Sequence, residues 1–319
     1  MRVVFLHALC TFVVGAIAIV TTGVAHSGDR ARREPSALTP SLRARGYNAC
    51  FVPDNGFGSY SGWERAGRGW MILPRDGGGN ADGGYDVVIH FHGHEAVRHA
   101  FVEVAERTVL VGIDLGSTSA PYDHAFANPE TFTRLLDDVT LALVRKSDHP
   151  NAHIRHLALS SWSAGAGAVR RIVSYFAGRI DAVILLDSLH SDYEPGPRRR
   201  ISLAPIAGVA AYAERAVRGD GMLFLSHSQI VPPGYPSTTE IADQLIAEVG
   251  GTRTPRQGMT PLGAELVSGF DRGGMHVRGY LGADKAAHCA HVELLAEVVR
   301  DYLEPAWSMG DVVPPAPDR

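Results

Sequence analysis

The chain is 319 residues long, 45% hydrophobic and 20% charged, and its 30 Lys and Arg against 34 Asp and Glu give a net charge of −4. A chain of this length and apolar content can bury one large core, so a single domain is the expectation. The mild acidity argues against nucleic acid as the main partner.

At the N-terminus Arg2 supplies a positive start, Val3 to Val24 is almost wholly apolar, and Gly23-Val24-Ala25 sets small residues beside a cut. Residues 1–25 therefore read as a secretory signal peptide, which would make the mature protein secreted or periplasmic with no stable membrane insertion. The rival is an uncleaved anchor, since about twenty apolar residues can span a bilayer. Cleavage would remove Arg2 and no acid, for a mature charge of −5. Export would leave Cys50 and Cys289 in an oxidising compartment, as a disulfide or as two buried thiols. Residues 26–46 have no apolar period and read as a flexible lead-in, 47–304 as the domain, and the Pro-containing stretch 305–319 as a loosely held tail.

Tyr47 to Trp63 is dense in turn residues. Trp70 to Leu73 reads as a first strand closed by Pro74. Asp76 to Gly84 is Gly-rich but lacks the Lys-Ser/Thr ending and the following helix of a phosphate-binding loop. Asp86 to Phe91, DVVIHF, is a strongly apolar strand running into His92-Gly93-His94-Glu95. His90, His92 and His94 alternate at period two and would share one face, which raises metal binding as an alternative chemistry. Thr108 to Leu115 is the next strand and Gly116 to Asn128 a polar connection. Pro129 to Lys146 carries Phe132, Leu135, Leu136, Val139 and Leu143 at helical intervals.

Leu157-Ala158-Leu159 is a buried strand, and Val169, Ile172 and Val173 mark a helix after it. Between them stands Ser161-Trp162-Ser163-Ala164-Gly165, which differs from the G-x-S-x-G nucleophile elbow only by Ser161 in the first Gly position. The strand, turn and helix around Ser163 resemble the elbow of the α/β-hydrolase superfamily. That resemblance implies a doubly wound α/β fold, with a mostly parallel sheet and helices on both faces. It also implies a serine hydrolase cleaving an ester-like or other acyl bond of a small-molecule or polymer substrate, with no cofactor. The oxyanion donors would be the main-chain N–H groups of His94 and Ala164. The histidine run also bears a passing likeness to the H-x-H-x-D-H metal motif of metallo-β-lactamase-like hydrolases. It departs from that motif at Glu95 and Ala96.

Asp181 to Asp187, DAVILLD, is a buried strand whose carboxyl end places Asp187 at the ligand crevice of an open α/β sheet. Leu203 to Arg218 reads as a helix and Gly221 to Leu225 as a strand. In many α/β-hydrolases the acid follows this later strand, where Ser228 stands here. A variation within the superfamily places it after the preceding strand, which matches Asp187, with Asp192 and Glu240 as alternatives. Ser237 to Val249 is a helix opened by a capping box, Gly250 to Gly274 a connection long enough for a lid or a wandering loop, and Met275 to Leu281 the last strand. The loop before the final helix carries His288 and His291, and the resemblance favours His288 as the catalytic base. The order Ser163, Asp187, His288 is the superfamily's Ser, acid, His. A non-catalytic binding protein on the same fold remains a further alternative.

Overall fold

A computed structural model describes residues 54–76, 78–197, 199–260 and 263–308. The expected signal peptide and lead-in, Cys50, and residues 309–319 of the expected tail lie outside them. Ten strands form one sheet: β1 (Glu64–Ala66), β2 (Gly69–Ile72), β3 (Gly84–Phe91), β4 (Val109–Ile113), β5 (His153–Trp162), β6 (Ala182–Leu186), β7 (Met222–His227), β8 (Thr254–Met259), β9 (Glu265–Arg272) and β10 (Met275–Tyr280). Their order across the sheet is β1-β2-β4-β3-β5-β6-β7-β10-β9-β8. The strands from β4 to β10 in that order pair in parallel, and antiparallel strands close both edges.

Burial on both faces explains the sequences of the central strands. Every residue of β3, β4 and β6 is buried, as the near-continuous apolar runs of a covered parallel sheet require. Alternate side chains serve opposite layers. Val87, Ile89, Val183 and Leu185 join one core with Phe132, Leu135, Val169 and Ile172. Val88, Ile184 and Leu186 join another with Phe101, Val292, Leu295 and Val299. The first layer is built on α2 (Ser119–Ala125), α3 (Pro129–Ser147), α4 (Ala166–Phe176), α5 (Ala207–Val217) and α6 (Thr238–Glu248). The second is built on α1 (His94–Val104) and the C-terminal helical run from Lys285 to Ser308. This is the expected doubly wound arrangement.

Three stretches depart from expectation. The polar connection 116–128 contains α2, whose Tyr122 is fully buried. The stretch from Gly250 to Gly274 is neither lid nor wandering loop: it holds the hairpin strands β8 and β9, which extend the sheet antiparallel to β10. All six side chains of β8 are exposed, so backbone pairing rather than apolar alternation makes it a strand. The segment expected to start a loose tail begins with a helical turn, Glu304–Ser308, whose Trp307 is buried and stacks on His156 at 5.4 Å.

Topology fixes where a site can lie. From β3 the chain crosses to β4 on one side, then returns to place β5 on the other, so the carboxyl ends of β3 and β5 flank a switch point where a crevice opens. Among the described residues no helix is long and apolar enough to cross a membrane.

Candidate active site

β5 ends at Trp162, and the chain turns through one 3₁₀ turn, Ser163–Gly165, directly into α4. Ser163 has φ 50°, in the left-handed region. Non-glycine residues hold that conformation at a cost of about 1–3 kcal/mol, which the surrounding packing must offset. The packing is tight: a Cβ on Gly165 would stand 2.6 Å from the carbonyl carbon of Phe91, at the end of β3. Ser161, in the place of the motif's first glycine, is fully buried, and its hydroxyl meets that of Ser188 at 2.8 Å. That bond ties the elbow strand to the residue beside Asp187.

Asp187 follows β6 with φ 41° and is 3% exposed. Its Oδ2 accepts from Nδ1 of His288 at 2.7 Å. Its Oδ1 accepts from the Ser228 main-chain N–H at 2.9 Å and from the Thr238 hydroxyl at 2.6 Å. Burial opposes ionisation of this carboxyl. The neighbouring His291 and His288 imidazoles, with the hydrogen bonds from His288 and Thr238, outweigh burial and hold it well below the usual carboxylate range. With its proton on Nδ1 facing Asp187, His288 leaves Nε2 as the acceptor.

Ser163, His288 and Ala164 line one cavity of about 590 Å³. Among the described residues no hydrogen bond joins Ser163 to His288; the two groups share the cavity wall. Trp162 fixes the imidazole from behind. Its indole N–H donates to the His288 carbonyl at 3.0 Å, and its ring lies between His288 (centroids 4.9 Å apart) and His92 (5.2 Å apart). Cys289, next to His288, is disulfide-bonded and 2% exposed; the Cys50 half of the expected pairing lies outside the described residues.

The remaining candidates fall elsewhere. His291 is buried behind the site, its Nδ1 on the Ser226 hydroxyl at 2.8 Å, and burial pushes its pKa down to about 4. Glu240 serves the cap of α6, accepting from the Ser237 N–H and hydroxyl and from the Tyr193 hydroxyl. Asp192 is exposed on the cavity wall. His94 starts α1 outside the cavity lining, its imidazole on Asp114 at 2.7 Å and edge-on to Trp63. In the His92-Gly93-His94 turn, His92 gives its main-chain N–H to Ile113 and Gly93 gives its own to Asp114. The His94 N–H is the first of the three with no partner among the described residues.

The three alternating histidines do not converge. His90 is fully buried between the Ser160 hydroxyl and the His92 carbonyl, His92 meets the Tyr122 hydroxyl, and His94 pairs with Asp114. The period-two face ends with β3 at Phe91. Among the described residues no group of three His, Cys, Asp or Glu side chains is placed to hold a metal ion. Sequence reasoning missed the anchors of the acid, Thr238 and the Ser228 N–H, and the seat of Trp162. Only the capping box at Ser237 hinted that Thr238 opens a helix near the crevice.

No protein-family model matches the chain and no curated protein matches it in sequence. Solved structures with a similar arrangement include the enterobactin esterase of Shigella flexneri, crystallised in the presence of 2,3-dihydroxy-N-benzoyl-serine. It is 12% identical with a TM-score of 0.49, over 80% of this chain and 62% of that one. A second structure of enterochelin esterase from Shigella flexneri is 11% identical with a TM-score of 0.47, over 80% and 60%. An IroE-like serine hydrolase from Shewanella oneidensis is 15% identical with a TM-score of 0.42, over 74% and 78%. The chain thus spans less than two thirds of the length of the two Shigella flexneri structures to which it is similar.

Proposed function

We propose that the protein is a serine esterase in which Ser163 is the nucleophile, His288 the general base and acid, and Asp187 the carboxylate that orients it. One observation carries this reading: a serine held in a left-handed turn at the switch point shares a cavity wall with an imidazole already paired to a buried carboxylate. In the reaction Ser163 Oγ attacks the acyl carbon and passes its proton to Nε2 of His288. Asp187 offsets the imidazolium charge through Nδ1. The carbonyl oxygen becomes an oxyanion received by the main-chain N–H of Ala164, which lines the cavity beside Ser163. Collapse of the tetrahedral species breaks the ester C–O bond, and the departing alcohol takes the proton from His288. Water, deprotonated by His288, then attacks the acyl-serine, and the acid leaves as Ser163 is reprotonated.

The apolar run at residues 3–24 supports export, so we place the enzyme outside the cytoplasm, acting on a small-molecule or polymer ester. The test is labelling by a fluorophosphonate probe. Wild type should label and Ser163→Ala should not, and hydrolysis of 4-nitrophenyl acetate should fall by roughly three or more orders of magnitude in the variant. Equal labelling of both proteins would remove Ser163 from the mechanism.

A further inference from the structure

The far end of the cavity bears a positive charge that the acyl-transfer chemistry does not use. Ser163, Gly167 and Arg170 all line the cavity; Ser163 stands in the turn that leads into α4, and Gly167 and Arg170, three residues apart, share one side of that helix. Arg170 is anchored through Nε and Nη2 to Asp123, at 2.8 and 2.6 Å. That holds one edge of the guanidinium still on a residue that lines the cavity. Asp123 is also claimed by Arg171, at 3.0 and 2.8 Å. One carboxylate therefore faces two guanidinium groups, and the trio carries a net positive charge.

The neighbouring groups on the wall are hydroxyls, an imidazole and two carboxylates. Ser117 and Thr118 line the same cavity, and the Thr118 side chain does not cap the helix it precedes. His190 lines it too; burial pushes its pKa down, so it is neutral near pH 7, and its Nδ1 is buried with no partner among the described residues. Two carboxylates share the wall with Arg170: Asp187 is already held by His288, the Ser228 N–H and Thr238, and Asp192 is exposed and screened by water and salt. The Arg170 side chain is 23% exposed, so its charge is less screened than that of Asp192.

We propose that Arg170, with the hydroxyls of Ser117 and Thr118, forms a carboxylate-binding subsite, so that the preferred substrate is an ester carrying a carboxylate that reaches along the cavity from Ser163 to Arg170. This rests on the serine-esterase reading above. An arginine clamped on one edge suits a carboxylate, which it meets with two parallel N–H groups.

The test compares kcat/KM within pairs of esters that differ only in charge, each normalised to its uncatalysed hydrolysis. On the acyl side the 4-nitrophenyl monoesters of glutaric and adipic acid are set against their methyl-capped forms. On the alcohol side 4-carboxyphenyl butyrate is set against its methyl ester. Wild type should prefer the free carboxylate by about tenfold in one arm, the effect of one charge-assisted contact. The arm that responds tells on which side of the ester the anion sits. Arg170→Gln should bring that ratio toward one, and Arg170→Lys should keep part of it. A wild-type ratio at or below one in both arms overturns the subsite without any variant having to fold, as does a preference that survives in Arg170→Gln. Hydrolysis of every ester without preference counts against the subsite alone, whereas hydrolysis of none counts against the esterase reading itself.

Discussion

Asp187 is held by groups that the chain brings from three directions: His288 from the first helical turns of the C-terminal run rather than the loop expected to carry it, the Ser228 N–H from the end of β7, and Thr238 from the start of α6. Ser228, the residue after β7, donates its backbone proton to Asp187 at the end of the neighbouring strand β6. Replacing Asp187 by Asn should lower kcat by roughly two to four orders of magnitude, because the amide favours the wrong imidazole tautomer. Glu240→Gln should leave kcat within about twofold, since its carboxylate caps a helix; the reverse pattern would make Glu240 the acid. Thr238→Val keeps the shape and deletes one charge-assisted hydrogen bond, so kcat should fall about tenfold with KM little changed. Thr238→Ser should restore it, and failure of that rescue would show that the threonine methyl, not its hydroxyl, matters.

Among the elements, those with a local signature were legible in the sequence and those held by distant partners were not. The elbow was visible because Ser161, Ala164 and Gly165 are small where a cramped turn demands it, and the acid because β6 is an unbroken apolar run that stops at Asp187. Helix α1 had no such clarity. Its buried face includes Arg98, whose guanidinium is neutralised by Asp54 at 2.9 Å and Glu95 at 3.0 Å and lies over the Phe57 ring. The period therefore breaks at the residue that looks least like core. Strand β8 was hidden because none of its side chains is buried. Thr238 as a partner of Asp187 was beyond reach, since 51 residues separate them and no local pattern encodes the contact. The elbow's tight seat makes its own prediction: Gly165→Ala should destabilise the fold by about 1–3 kcal/mol in urea unfolding, because the added methyl meets the main chain of β3. A neutral result would mean that the turn has slack.

At the scale of the whole molecule, histidine burial sets acid sensitivity. Burial depresses His90 to about 3 and His227 and His291 to about 4, all from 6.5. As pH falls below 6.5 the unfolded chain takes up protons that the folded chain refuses. Stability present above pH 6.5 is therefore lost between 6.5 and about 4 for His227 and His291 and on down to about 3 for His90, by at most about 1.4 kcal/mol per pH unit for each histidine. Asp187 acts in the same direction at lower pH, since its depressed pKa stabilises the fold only while it is ionised. Urea midpoints at pH 7, 6 and 5 should decline steadily, and His291→Asn should flatten the decline; a flat profile in the wild type would contradict these shifts.

Trp162 stacks on the imidazoles of His92 and His288, one residue from Ser163, which gives this cavity a built-in fluorophore. An indole pressed against a ring that gains and loses a proton changes its emission with that ring's charge. The emission of Trp162 should therefore report the charge of the imidazoles it stacks on, without an added dye.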